Sequence, residues 1–191
     1  MIIIGIQGDI GSFSEQAAHV FAKKRQLSNY QISPLINSGN VLKAVDVGEI
    51  DFGILAIENA RGGLVTESIY ALATYQCHID EMFQILIQQN LLTLPGLTAR
   101  EITSIHSHTQ AIRQCKEYLM KHFWNCPLIE EADTAQAAKA LQTGQLPKTA
   151  AVIANVACAT HYKLAILEEN IQDLKNNFTQ FLSVTRFRKK R

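Results

Sequence analysis

The sequence predicts a two-lobed α/β protein, and three observations lead there. Short apolar runs alternate with helical patterns along nearly the whole chain, as expected of sheets covered by helices. The runs amount to about nine strands, too many for one small doubly wound domain. No low-complexity linker or repeat separates the halves, so the lobes share tight, multiple connections. Alternation of this kind predicts parallel sheets with helices on both faces. A ligand is then expected in a cleft between the lobes, near the C-terminal ends of strands.

The elements read in order. "MIIIGIQG" is a buried strand ending in glycine. "SFSEQAAHVFAKK" is a helix with Phe13, Ala17, Val20 and Phe21 on one face and Ser12 or Ser14 as N-cap. "QISPLI" and "DFGILAIE" are strands on either side of the helix "SGNVLKAVDVGE", and "GLVTESIYALATY" is a third helix. "MFQILIQQNLLTL" reads as one long strand and the first crossing between lobes. A second series follows: strand "ITSIHSH", helix "TQAIRQCKEYLMKHF", strand "CPLIEEA", helix "DTAQAAKALQTG", and a strand and helix in "KTAAVIANVACATHYK". "LAILEENI" and "FTQFLSVTR" close the series as strands. Lobe 1 is expected over residues 1–84 and about 168–191 and lobe 2 over 85–167, within five residues, the last strand being open to either lobe.

Composition excludes several classes. Of 191 residues 47% are hydrophobic and 18% charged, which is globular rather than disordered. A net charge of +1 argues against nucleic acid as a general partner, although Arg186, Arg188, Lys189, Lys190 and Arg191 crowd the C-terminus; such a run reads as a solvated tail. The apolar start lacks the basic segment and cleavage site of a signal peptide, and no apolar run reaches the length of a membrane span. Cys77, Cys115, Cys126 and Cys158 show no CxxC spacing, so no metal site is expected and buried thiols in a reducing cytoplasm are the better reading.

Four stretches offer chemistry. Gly8 to Ser14 joins the first strand to the first helix, where glycines allow close backbone approach and a helix start offers N–H groups to an anion. Neither phosphate-loop nor dinucleotide spacing is present; an ordinary connection is the plain alternative. Glu58 and Asn59 come directly off a buried strand, where a carboxylate must be paired or functional, unless Glu58 caps a neighbouring helix. Ser107, His108, Thr109 and Gln110 open a helix; a lone histidine there is more often a cap than a base, and adjacent Ser107 and His108 make a poor nucleophile pair. Asn170, Asp173 and Asn177 precede Thr179, and each alone is also turn chemistry. Together these amide, hydroxyl and carboxylate groups suit a small polar or anionic ligand.

In order and spacing, these stretches resemble the catalytic domain of the prephenate dehydratase family, from about residue 2 to residue 186. Gly8-x-x-Gly11-Ser12-Phe13-Ser14 is similar to GPxG(S/T)(F/Y)S, Ile57-Glu58-Asn59 with Gly63 and Val65 to PIENSxxGxV, and Ser107-His108-x-Gln110-Ala111 with Gln114-Cys115 to SHPQALxQC. Thr134-Ala135 with Ala137-Ala138 fits STAxAA, and Asn170-Ile171-x-Asp173, Asn177, Thr179 and Phe181 fit NIxD…NxTRF. The resemblance implies a fold like type II periplasmic binding proteins, prephenate as small-molecule substrate, loss of water and carbon dioxide to give phenylpyruvate, no cofactor, and a homodimer. It implies that Thr179 hydrogen-bonds the leaving hydroxyl. It also implies that Gly11, Ser12, Glu58, Asn59, Ser107, Gln110, Asn177, Gln180 and Phe181 bind substrate. Arogenate as substrate, decarboxylation without aromatisation, and a non-catalytic ligand-binding module stay open as alternatives.

The chain departs from the motifs at Asp9, Ala56, Ala60 and Thr109, and above all at Gln180, where the family has arginine. An arginine that contacted the dianion would contribute about 1.5–3 kcal/mol; Arg61, in a motif loop, is a candidate substitute. The literal Thr185-Arg186-Phe187 is a decoy, because it lacks the upstream asparagine. Arg186 also stands six residues from Gln180, about 20 Å along a strand. No stretch like the family's regulatory ACT domain occurs in these residues, so phenylalanine is expected not to regulate the chain. Thermal melts with and without phenylalanine should superimpose; a shift of several degrees, or inhibition, would contradict this.

Overall fold

In the computed structural model, residues 1–187 are described, and the basic run after Phe187 lies outside them. The chain forms two compact units. The first comprises Met1–Ile87 and the described residues from Asn177 onward; the second is Gln88–Asn176.

Unit 1 contains β1 (Ile2–Ile6), α1 (Phe13–Lys24), β2 (Tyr30–Pro34), α2 (Ser38–Val47), β3 (Phe52–Asn59), β4 (Gly63–Leu64), α3 (Thr66–Thr74) and β5 (Cys77–Leu86). Unit 2 contains β6 (Asn90–Thr93), β7 (Ser104–His108), α4 (Thr109–Gln114), α5 (Lys116–His122), β8 (Leu128–Glu131), α6 (Thr134–Gln142), β9 (Ala150–Ala154), α7 (Val156–Tyr162) and β10 (Ala165–Glu168). The chain then returns to unit 1 as β11 (Phe178–Arg186).

The α/β class holds, and the sheets are mixed rather than wholly parallel. Sheet 1 has the order β2-β1-β3-β11-β5, with β4 hairpinned onto β3. β1 runs parallel to β2 and β3, whereas β11 runs antiparallel to β3 and β5. The cause is the double crossing. The chain leaves at the end of β5 and re-enters beside that same end, where the Ile87 N–H donates to the Asn177 carbonyl at 2.8 Å. A strand entering there can only run back against β5. Sheet 2, ordered β10-β6-β9-β7-β8, likewise pairs β6 antiparallel to its two neighbours, β9 and β10.

Three sequence expectations are corrected. The return crossing falls after Asn176 rather than near residue 168. The intervening segment is held in unit 2 by bonds from Asn170 N–H to Asn90 Oδ1 (3.1 Å), Ile171 N–H to the Gln89 carbonyl (2.8 Å) and Asp173 N–H to the Gln114 carbonyl (2.7 Å). "MFQILIQQNLLTL" is two strands, divided where Gln89 N–H turns to Gln172 Oε1 (2.9 Å). The helix expected over "TQAIRQCKEYLMKHF" is broken at Cys115, because the Asp173 carboxylate accepts the Glu117 N–H at 3.1 Å and starts a new helix.

Each sheet has an apolar layer on both faces. In unit 1, Ile4, Ile6, Ile54 and Phe181 pack against α1 residues Ala18, Phe21 and Ala22. On the opposite face Leu55, Leu182 and Val184 meet Val41, Leu42 and Val45 of α2. Val20, expected on the buried face of α1, is 41% exposed; the small Ala18 and Ala22 sit against the sheet instead. In unit 2, Val152 and Leu92 pack on Ala135, Ala138 and Leu141, and Ile105 and Ile153 on Cys115, Leu119 and Phe123. Each fully buried Leu, Ile or Phe contributes about 1.5–3 kcal/mol of transfer free energy.

Gly53 permits the close approach of α2 to sheet 1. A Cβ there would stand 2.7 Å from Val41 Cγ1, 2.9 Å from Val184 Cγ2 and 3.1 Å from Val45 Cγ2. Branched side chains in a filled layer cannot retreat cheaply. Gly53→Ala is expected to destabilise the protein by about 1–3 kcal/mol, read as a lower midpoint in urea; an unchanged midpoint would contradict the packing account.

Candidate active site

The loop after β1 folds back on itself. Gly8 (φ 99°) and Gly11 (φ 87°) take left-handed conformations that glycine adopts without strain. Ser12 is the N-cap of α1, its Oγ accepting the Glu15 N–H at 3.3 Å. The Glu15 carboxylate reaches back to the Gly11 N–H at 2.6 Å, and the Ser12 N–H donates to the Asp9 carbonyl at 3.1 Å. The turn expected to offer Gly11 and Ser12 N–H groups to a ligand therefore has both engaged within the loop. A carboxylate is indeed seated at this helix start, and it is the chain's own.

The densest polar cluster joins the end of β3 to the start of β11. Asn59 Nδ2 donates to Thr179 Oγ1 (2.8 Å), Asn177 Oδ1 (3.0 Å) and the Phe178 carbonyl (3.3 Å). Its Oδ1 accepts the backbone N–H groups of Arg61 (3.1 Å) and Gly62 (2.8 Å). Those two donors settle the amide orientation, because a backbone N–H can only donate. Asn177 is fully buried, with Nδ2 left as a buried donor without a partner among the described residues, so it holds Asn59 rather than a ligand. Thr179 is 7% exposed. A hydroxyl has one proton and two acceptor positions. Asn59 occupies an acceptor position, and the proton has no acceptor among the described residues. Thr179 thus keeps a donor that none of the described residues takes up.

Gln180 points to the other side of β11. It lies across from Glu58 on β3 and from Gln84 on β5, and its Nε2 donates to Gln84 Oε1 at 3.3 Å. Glu58 is exposed, so the cost of burying a carboxylate does not apply to it, and it has no ion-pair partner among the described residues. An arginine at position 180 would stand directly across the strands from Glu58, an opposite-charge pair. Arg61 is exposed and its backbone N–H serves Asn59. Phe181, expected to bind substrate, is 1% exposed and stacked on Phe83 with centroids 6.0 Å apart; it is a core residue whose ring anchors the strand that carries Thr179.

Sequence reasoning missed Gln7, at the end of β1. Its Oε1 accepts from Ala56 N–H, Ser38 Oγ and Ser68 Oγ, each at 3.0 Å. The signal was a glutamine closing an otherwise apolar strand immediately before the first glycine of the loop.

Unit 2 carries the remaining candidates. Ser107 is fully buried and its hydroxyl donates to the Ile153 carbonyl at 2.6 Å, so its proton secures β7 to β9. His108 caps α4 by accepting the Gln110 N–H at 3.2 Å, the plainer of its two readings. The Gln110 side chain is half-buried at that helix start. Asp173 is a helix cap. A row that sequence reasoning also missed joins buried Ser104 and His106 of β7 at 3.0 Å, and His106 to the half-buried Glu131 of β8 at 2.8 Å, which ties the two strands.

These features define a two-unit α/β protein that presents amide and hydroxyl groups from strand ends, with no cluster of three or more metal-ligating side chains among the described residues. The chain matches the family model "Prephenate dehydratase" over residues 4–189 and belongs to that family. An arogenate dehydratase/prephenate dehydratase of Arabidopsis thaliana is 33% identical over 183 residues, covering 96% of this chain and 43% of the relative. The bifunctional chorismate mutase/prephenate dehydratase of Pseudomonas aeruginosa is 28% identical over 178 residues, covering 93% and 47%. The prephenate dehydratase of Arthrobacter aurescens, solved in complex with L-Phe, is 26% identical with a TM-score of 0.87, over all of this chain and 61% of that one. The chain thus spans less than half the length of these two curated relatives.

Removing the Asn59 carboxamide takes the acceptor from the Arg61 and Gly62 N–H groups and leaves the buried Asn177 Oδ1 without its donor. Asn59→Ala is expected to cost about 1–3 kcal/mol of stability, measured by chemical denaturation. An unchanged stability would mean that the cluster is not what joins β3 to β11.

Proposed function

We propose that the chain converts prephenate to phenylpyruvate with loss of water and carbon dioxide. The observation that carries this reading is the Thr179 hydroxyl, held as an acceptor by Asn59 and left with its proton undirected toward protein. In the reaction the bond from the ring to its carboxylate breaks and its electron pair moves into the ring. The ring carbon–oxygen bond breaks in concert, carrying a pair away on the hydroxyl, which becomes water on taking a proton. Aromatisation drives both cleavages, so the protein has to position the substrate and stabilise charge on the departing oxygen. A threonine hydroxyl is a weak acid. Thr179 therefore donates a hydrogen bond to the leaving oxygen, and solvent supplies the proton that completes water. Donation from Asn59 to Oγ1 polarises the Thr179 O–H bond in the same direction.

Arogenate is the second reading. It carries an ammonium where prephenate carries a keto oxygen, and the exposed Glu58 carboxylate, unpaired across from Gln180, suits a cation. The name of the Arabidopsis relative includes both substrates. A cytoplasmic location belongs to this proposal, supported by four cysteines that form no disulfide, as does a homodimer, supported by the family resemblance.

The test follows phenylpyruvate in alkali after incubation with prephenate, and phenylalanine after incubation with arogenate. Product is expected from at least one. Thr179→Ala should lower kcat by about 100-fold, and Gln180→Arg should lower KM for prephenate. Binding without product from either substrate would replace the enzyme with a binding module, and an unchanged kcat in Thr179→Ala would remove Thr179 from the chemistry.

A further inference from the structure

We infer that Gln7 binds a carboxylate oxygen of the substrate through its Nε2 group; this rests on the dehydratase reading. The amide orientation is unambiguous. Ala56 N–H, at 3.0 Å, can only donate, so the atom facing it is Oε1. The fully buried Ser38 and Ser68 converge on the same oxygen from the starts of α2 and α3, and their hydroxyls lie 2.8 Å from each other. Three contacts from three different elements fix one oxygen, and the planar amide then fixes the nitrogen.

That nitrogen is unspent. Nε2 has no partner among the described residues, and it is not one of the buried unpartnered polar atoms, so it opens to solvent. Gln7 immediately precedes the Gly8–Ser12 loop at the C-terminal end of β1. Its partner Ala56 stands three residues before Asn59 on β3, about 10 Å along the strand. A side-chain amide nitrogen donates and never accepts, so it takes an anionic or carbonyl oxygen and gains nothing from an ammonium. Within this loop the Gly11 and Ser12 N–H groups are already engaged, and Gln7 supplies a pre-oriented side-chain donor on the β1 side of unit 1. Holding the amide in advance spares the rotamer entropy that a mobile donor would lose on binding.

Gln7→Glu separates this role from a structural one. The variant keeps an oxygen for Ala56, Ser38 and Ser68 but replaces the outward donor by an anion. We expect KM for the preferred substrate to rise at least about tenfold, with kcat within about threefold and the melting temperature nearly unchanged. Calorimetric titration of wild type and variant with prephenate and with arogenate runs alongside. An active wild type whose KM and Kd are unaltered in Gln7→Glu overturns the inference alone. A wild type that binds without turnover sinks the dehydratase reading, and weaker binding by the variant then still supports Gln7. A wild type that binds neither substrate overturns both. Should Gln7→Glu fail to fold, Ser68→Ala decides: it loosens the amide and should raise KM about threefold, and an unchanged KM counts against the role.

Discussion

The carboxamide of Asn59 is the interaction on which unit 1 depends. It joins β3 to a strand that arrives about 120 residues later, after the chain has built all of unit 2. One planar group satisfies two backbone donors of its own turn and three acceptors on the returning segment. Closing so long an excursion costs loop entropy, which the pairing of β11 between β3 and β5 offsets. The bond from Asn59 that accompanies this pairing also occupies an acceptor position of the Thr179 hydroxyl and leaves its proton to other acceptors. Fold closure and the placement of Thr179 are therefore one constraint here, because the hydroxyl sits at the residue where the returning strand first meets β3.

Fixed amides recur at the strand ends. Gln7 is locked between β3 and the starts of α2 and α3, Asn59 between two strands, and Gln89 and Gln114 join through a 3.0 Å bond in unit 2. An amide offers a donor and an acceptor in one plane without the desolvation cost of a charge. When one end is anchored, the other is aimed. This gives a strand end a directional donor whose strength does not depend on a neighbouring ion, as the proposed reaction, with a leaving group to be steered rather than attacked, would need.

Position 180 shows what such a design gives up. Across the strands stand Glu58 and Gln84, so a cation there would sit in an opposite-charge pair, whereas Gln180 bonds to Gln84 and leaves Glu58 unpaired. The charge beside Thr179 is therefore more negative than the family motif would make it. Under the proposed function, that balance, rather than the hydroxyl, bears on the choice between a keto and an amino substrate.

Periodicity in the sequence determined the α/β class and placed a crossing within five residues of Ile87, because strand burial is a local property; Asn59, Thr179 and Asp173 were singled out by resemblance to the family's motifs. The same resemblance set residues 179–181 above 185–187. Tertiary structure decided the rest. Phe181 reads as a motif residue, yet its ring lies in the core against Phe83. Ser107 reads as a ligand group, yet its proton belongs to Ile153. The antiparallel course of β11, the break at Cys115 and the anchoring of Gln7 all depend on groups far apart in the chain. A hydroxyl or amide looks the same in a sequence whether its proton is committed or free. Only the neighbours that the fold brings within 3 Å or so decide which it is.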